Sequence, residues 1–136
     1  MAEPAPSRAQ YRVVDGTEFY LTIRPAEAIR AQYPPGSKER AMHGGVPEGT
    51  DYYHVEVRLF NGHSRTAIKN AQVELTVAEQ VPSGEKKKLE PVEVNEMSSY
   101  GNYFRMPGKD PYTITVSARN PSSPRPIEAT FHYKRD

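Results

Sequence analysis

Alternation of apolar and polar residues with a period of two dominates this chain and is clearest in residues 51–60. In an extended strand, successive side chains point to opposite faces, so every second residue shares a face. One face of this segment is apolar: Tyr53, Val55, Val57 and Leu59. The other face is polar: Tyr52, His54, Glu56 and Arg58. We expect the apolar face to lie in a core and the polar face, with its imidazole and its carboxylate, to emerge on the opposite side of the strand.

The same period recurs elsewhere and predicts an all-β fold. The other alternating segments are residues 17–24, 71–79, 111–118 and 127–133. Asp15-Gly16 before the first of them is a typical hairpin turn. With 13 prolines and 36% hydrophobic residues, the chain is lean for a globular protein and fits a thin sandwich. We predict an antiparallel β-sandwich, immunoglobulin-like or cupredoxin-like, of about seven to eight strands with at most one short helix.

The remaining segments define a single domain over residues 11–136. Residues 1–10 are rich in Pro and Ala and are expected to be disordered. Residues 25–32 begin with a proline at a helix-start position, which fits one short helix or a third strand. Residues 81–88 are expected to form a polar hairpin tip, and Pro91 places the short strand that follows near an edge.

Charge and cysteine content exclude several classes of function. A formal charge of +1 argues against electrostatic capture of nucleic acid. The absence of cysteine excludes disulfides, thiol catalysis and thiolate metal sites. No apolar run is long enough for membrane insertion. The Pro- and Ala-rich residues 2–10 resemble the start of an exported mature protein, so we expect a periplasmic or otherwise exported location.

The donors available for a metal ion are therefore His, Met and carboxylate side chains. Residues 33–50 form a long Gly- and Pro-rich stretch that contains Met42 and His43, followed by two glycines that let a backbone wrap closely around an ion. Thioether and imidazole together suit Cu(I) and Cu(II). The carboxylate of Glu56 could orient an imidazole, or bind Fe(II) or Mn(II) itself. His63 lies in a turn and is expected to be solvated.

Each of these residues alone is more often structural, because loop Met side chains usually fill hydrophobic gaps and polar residues are usually solvated. Their combination favours a metal site, which we predict to form where the long loop folds over the outward face of the central strand and brings His43 near His54. Met97 or Met106 would then add a thioether. The predicted ligands are Met42, His43, His54, Glu56, Met97 and Met106.

Three short motifs resemble a known family, the periplasmic iron-transport β-sandwich proteins that accompany high-affinity iron permeases. They are His54-Val-Glu56, Met97 and Tyr100-Gly101, within residues 51–118. The resemblance implies binding of copper and iron on a His/Met/Glu site, and frequent dimerisation.

The chain departs from that family at specific positions. The family carries a His immediately before Tyr-Gly, where this chain has Ser99. Its last His lies late in the chain, for which His132, on the outward face of the last strand, is a loose candidate. Met42-His43 has no counterpart in the family pattern, so the resemblance implies a remodelled ligand set.

Two functions follow as expectations. No nucleophile elbow, zinc-protease motif or phosphate-binding glycine loop is present, so no enzymatic activity is expected. We expect a copper carrier or chaperone, with iron as the alternative metal, whose partners are a membrane permease or metal-receiving protein and a second copy of the chain. The alternative is a non-catalytic immunoglobulin-like module of an exported assembly, which binds protein or glycan through exposed Tyr52, Tyr100 and Tyr103.

Overall fold

The computed structural model describes residues 10–33, 36–37, 45–47, 51–78, 84–94, 97–106, 112–121 and 125–133, with the backbone alone at 93, 94 and 97. The strands are β1 (Gln10–Val14), β2 (Thr17–Pro25), β3 (Tyr52–Asn61), β4 (Gln72–Ala78), β5 (Gly84–Val94), β6 (Met97–Arg105), β7 (Tyr112–Arg119) and β8 (Ile127–Tyr133). One helix, α1 (Ala26–Gln32), follows β2. The predicted all-β class with one short helix is confirmed.

The eight strands of the described residues belong to one antiparallel sheet in the order β1-β2-β3-β6-β5-β4-β7-β8. The sheet folds over at β5, which pairs with β4 through residues 84–89 and with β6 through residues 90–94. Its two ends meet, because Gln10 Nε2 donates to the carbonyl of His132 at 3.2 Å and the Arg12 guanidinium lies 5.4 Å from the ring centre of Phe131. The result is a nearly closed two-layered sheet whose inner face is the core.

The predicted alternation places the core residues correctly. The buried apolar side chains include Phe19, Leu21 and Ile23 of β2, Val55, Val57 and Leu59 of β3, Val73, Leu75 and Val77 of β4, Ile114 and Val116 of β7, and Ala129 and Phe131 of β8. Burial of each large aliphatic or aromatic side chain contributes about 1.5–3 kcal/mol before entropy is subtracted. The inner face of β3 therefore packs in the core. Its outer face, which carries His54 and Glu56, does not contribute to that core.

Three local predictions are decided by the structure. Residues 26–32 form a helix rather than a strand, and Pro25, the last residue of β2, is its N-cap. The polar tip at 81–88 is wrong for residues 84–88, which belong to β5. Strand pairing accommodates their charges, since Lys86 lies 3.5 Å from Glu74 of β4, and Lys87 Nζ donates to the Tyr103 carbonyl at 2.5 Å. The seven-residue helix is too short to cross a membrane, and no other described helix exists that could do so.

Tyr100 of β6 anchors the connection between β3 and β4. Its hydroxyl donates to the Ile68 carbonyl at 2.6 Å and accepts from the Ala71 amide at 3.1 Å. Burial raises the pKa of Tyr100 above its ordinary value of 10.0, although the hydrogen bond from Ala71 opposes that rise. The neutral hydroxyl is therefore the form that the fold stabilises.

The pH dependence of stability should reveal this anchor. A raised folded-state pKa means that the contribution of Tyr100 is complete below about pH 10 and is lost as the pH rises through the folded pKa. Tyr100→Phe should cost about 1–2 kcal/mol near neutral pH, because two backbone groups lose their partner, and should flatten the decline above about pH 10. Urea unfolding of both proteins across this range checks the prediction. An alkaline decline identical in the two proteins would contradict it.

Candidate metal centre

His54 and Glu56 lie on the face of β3 that points away from the core, as predicted. In the sheet register His54 stands between Arg24 and Tyr103, and Glu56 stands between Thr22 and Gly101. His54 is nevertheless only 5% exposed. Its ring meets the ring of Tyr103 edge-on, with centroids 5.1 Å apart and an interplanar angle of 65°. The imidazole is thus held in a fixed position on an outer face that is covered by protein.

A second, smaller apolar cluster covers this face. Its buried members are Ala26 and Ile29 of α1 and Tyr103 of β6, with Tyr33, Val46 and Tyr52 packed against them. α1 forms because Pro25 fixes its start and its apolar Ala26 and Ile29 share one side, which packs on β2 and β3. The outer face of β3 therefore combines apolar cover with two potential metal ligands.

Gly101 provides the space that the His54 ring occupies. An ideal Cβ at position 101 would lie 3.1 Å from His54 Nε2, 3.2 Å from His54 Cε1 and 3.1 Å from the Val55 carbonyl oxygen. These distances are too short for ordinary van der Waals contact. A glycine inside a strand often marks such a close approach, and this signal could have identified Gly101 from sequence.

Glu56 is half-buried and is the register partner of Gly101 on the same outer face. Within the described part of the chain, neither a salt bridge nor a side-chain hydrogen bond engages it. Arg24, the register partner of His54, donates to Gln32 Oε1 at 2.7 Å. A carboxylate and a buried imidazole two residues apart on one strand face are groups that can contribute to a site for a divalent cation.

The described end of the long loop lies on the same face. Arg30 of α1 donates to the Pro47 carbonyl at 2.6 Å, and Val46 packs against the cluster that contains Tyr103. Met42 and His43 precede this segment and lie outside the described residues, as does the side chain of Met97, the first residue of β6.

Other predicted donors are not brought to His54. Met106 is 0% exposed in the main core, on the inner side of the sheet, where its thioether fills space between apolar side chains. His63 is exposed in its turn. His132 is exposed on β8. Although the two ends of the sheet meet, β1 and β2 still lie between β8 and β3. Among the described residues, no three His, Asp or Glu side chains are grouped to hold a metal. The ligand set as a whole stays a prediction.

The expected exposure of the tyrosines is wrong for two of them. Tyr100 is 2% and Tyr103 is 4% exposed, and Tyr52 is half-buried. Tyr100 faces the core and uses its hydroxyl on the connection after β3, while Tyr103 lies under the cover formed with α1. Neither ring is presented to an external partner.

Solved structures with the same fold support the predicted resemblance. FetP of uropathogenic Escherichia coli strain F11 superposes with a TM-score of 0.70 at 13% identity, over 95% of this chain and 94% of that one. A copper-bound methionine-to-isoleucine variant of P19 from Campylobacter jejuni gives 0.71 at 12% identity, over 96% of each chain. A DUF4426 family protein from Pseudomonas aeruginosa PAO1 gives 0.64 at 11% identity, over 94% of this chain and 96% of that one. No family model and no curated protein sequence matches the chain. At these identities the likeness establishes the fold.

Proposed function

We propose that this protein is a periplasmic metal carrier or chaperone for copper, with iron as the alternative cargo, and that it has no catalytic role. One observation carries the proposal: a buried imidazole, His54, and a half-buried carboxylate, Glu56, share the outer face of β3 beside a position without a side chain, Gly101. Proteins of the same fold, P19 and a glutamate-to-glutamine variant of FetP, have been solved with copper bound. FetP was produced in a bacterial periplasm, which supports the proposed compartment.

The proposed ligand set joins β3 to the long loop. His54 supplies an imidazole, and Glu56 supplies an oxygen ligand or orients an imidazole. His43 lies three residues before Val46, so their Cα atoms are at most about 11 Å apart. Val46 packs against the cluster that contains Tyr103, and the Tyr103 ring meets His54 edge-on, so this chain length supports a proposed place for the loop histidine near His54.

Thioether donors set the proposed preference among metals. Met42 in the loop would complete a soft donor set with the imidazoles, and such sets favour Cu(I) over Fe(II). Met97 is left out of the proposed site, because it lies six residues before Tyr103, the register partner of His54, which separates the two backbones by roughly 20 Å. Met106 is left out of the proposed site because it lies in the core. A carrier also needs a recipient, and we propose a membrane permease or a metal-receiving protein, with a second copy of the chain as a further partner.

A non-catalytic interaction module of an exported assembly is the second candidate. It is favoured by an aromatic strip on the exposed side of β1, β2 and β3. Tyr11 and Val13 are 46% and 52% exposed. The Tyr11 and Tyr20 rings lie 4.8 Å apart, and Tyr20 meets Phe60 edge-on at 5.6 Å. Exposed aromatic groups are common at protein interfaces.

Direct metal titration separates the two candidates. We expect the metal-free protein to bind one equivalent of Cu(I) more tightly than about 1 μM, and to bind Fe(II) more weakly. Cu(I) affinity should fall as the pH drops through the histidine range, because protons compete for the imidazoles. Competition with a chromophoric Cu(I) chelator measures the Cu(I) affinity at each pH. Element-resolved analysis of the loaded protein identifies the bound metal. If neither metal binds more tightly than about 1 μM, the interaction module takes the place of the carrier.

A further inference from the structure

Asn61, the last residue of β3, is the one asparagine of the sequence that is followed by a glycine. An Asn-Gly pair is especially prone to spontaneous deamidation, because a residue without a Cβ lets its backbone nitrogen approach the asparagine side chain freely. Asn61 is exposed, so solvent base and water can reach it. Its covalent chemistry alone therefore makes this residue a candidate modification site.

The reaction begins at the backbone nitrogen of Gly62. This nitrogen loses its proton to solvent base and bonds to Asn61 Cγ, and the side-chain nitrogen leaves as ammonia. Water then opens the cyclic imide at one of its two carbonyl groups, which gives aspartate or isoaspartate. Because the Gly62 amide proton must leave first, the hydrogen-bond partner of this N–H decides whether the site reacts.

The fold engages this N–H in a backbone hydrogen bond. The Gly62 amide donates to the Gly16 carbonyl oxygen at 2.7 Å, at the short end of the range for such bonds. The carbonyl belongs to the turn between β1 and β2, in which Asp15 and Gly16 have φ values of 49° and 77°, as in a type I′ hairpin turn. The nucleophile of the reaction is thereby held as a hydrogen-bond donor by a neighbouring turn.

Both residues of the reactive pair have a structural role. An ideal Cβ at position 62 would lie 2.8 Å from the Gly16 carbonyl oxygen, which is closer than Cβ atoms come in folded proteins, so this contact requires a glycine. Asn61 Oδ1 accepts from the amides of His63 and Ser64 at 2.9 and 3.1 Å, which forms the turn that ends β3. These two bonds polarise the side-chain amide toward attack, so the protection must come from the Gly62 nitrogen.

We propose that Asn61 is a latent deamidation site, which the Gly16 carbonyl keeps unreactive in the folded protein and which reacts only when this junction opens. Opening also affects the adjacent bonds, in which the Asn61 amide donates to the Thr66 carbonyl at 2.9 Å and the Arg65 amide donates to the Asn61 carbonyl at 2.7 Å. Segments held by several such bonds open together and are closed most of the time.

The two products differ in what they do to the end of β3. Aspartate keeps an oxygen that can accept from His63 and Ser64, so the turn can form again. Isoaspartate adds one carbon to the backbone at the residue that pairs with Thr17 of β2, and it therefore shifts Gly62 relative to Gly16. Opening followed by isoaspartate formation is thus irreversible.

Peptide mapping of stored protein measures the reaction. Trypsin cleaves after Arg58 and Arg65 and releases residues 59–65, in which Asn61 is the only asparagine. Liquid chromatography with mass spectrometry separates the Asn, Asp and isoAsp forms of this peptide. At the same mildly alkaline pH, we expect deamidation in the folded protein to be at least about a hundredfold slower than in the chain unfolded in urea, because several hydrogen bonds must break first. Rates within about threefold of each other would overturn the proposal.

A pair of glycine variants tests the role of the Gly16 carbonyl. Gly16→Ala should raise the deamidation rate of the folded protein about tenfold, because a residue with a Cβ is disfavoured at a φ of 77° and the turn then opens more often. The matched control is Gly36→Ala, which has a similar conformational penalty at a φ of 85° and, like Gly16→Ala, meets no atom within 4 Å. It should leave the rate at Asn61 unchanged. Equal acceleration in the two variants would mean that the site reacts through general unfolding and would overturn the proposal.

Amide hydrogen exchange tests the same opening without any substitution. Exchange of the Gly62 N–H also requires its release from Gly16, so its protection factor in the wild type should match the slowing of deamidation to within about threefold. A Gly62 amide that exchanges at the rate of an unfolded chain would overturn the proposal.

Discussion

His54→Ala is expected to weaken Cu(I) binding by at least about a hundredfold. Loss of a residue that merely supports a ligand commonly costs 10- to 100-fold in metal affinity, so loss of a ligand should cost at least the upper figure. The effect should be large because His54 is held by its packing against Tyr103 and above Gly101, which leaves a neighbouring side chain little freedom to replace it. Competition with a chromophoric chelator at fixed pH measures the change.

The other histidines of the chain provide the controls. His63→Ala and His132→Ala remove exposed imidazoles away from β3 and should leave Cu(I) affinity unchanged. His43→Ala should weaken binding sharply if the long loop reaches His54. Because truncation of a buried ring also costs stability, His54→Gln should be compared as a variant of similar volume that keeps hydrogen-bonding atoms. Equal affinities in the wild type and the His54 variants would show that this imidazole is not a ligand.

The strand faces were predictable because they depend on local alternation. In β3 the residues Val55 and Val57 are buried, and His54 and Glu56 lie on the reverse face, as the period of two requires. β6 carried no such signal. Ser98, Ser99, Gly101 and Asn102 interrupt its apolar positions, and it becomes a strand through pairing with β3 and β5, which are distant in sequence. Long-range pairing of this kind is not encoded in a short window of residues.

The burial of His54 illustrates the same limit at the site. Alternation placed the imidazole on the outer face, but the cover comes from α1 and from Tyr103, which contacts it only because β3 and β6 are neighbours. Met106 shows the opposite error. A Met beside a proline resembled a loop ligand, yet its amide donates to the Asp51 carbonyl at 2.8 Å and its side chain lies in the core.

Gly101→Ala is expected to weaken Cu(I) binding by about ten- to a hundredfold, the range typical of residues that orient a metal ligand. An alanine in place of glycine within a strand would ordinarily stabilise the protein by about 0.5–1 kcal/mol. Here we expect the alanine to destabilise the protein instead, because the added Cβ would lie 3.1 Å from His54 Nε2 and 3.1 Å from the Val55 carbonyl oxygen. The β-sheet holds that carbonyl group in place. The imidazole is the group that can move, so it should leave its position above Gly101.

Two comparisons separate displacement of the imidazole from a general loss of stability. Gly62→Ala would place a Cβ 2.8 Å from the Gly16 carbonyl oxygen, at the other end of β3, and should lower the melting temperature without changing Cu(I) affinity in the folded protein. If Gly101 acts through His54, the double variant Gly101→Ala with His54→Ala should bind Cu(I) no more weakly than His54→Ala alone, because the second substitution has no ligand left to displace. Additive losses in the double variant would mean that Gly101 affects metal binding by a route other than His54. If Gly101→Ala binds Cu(I) as tightly as the wild type, the metal does not use the imidazole in the position seen here.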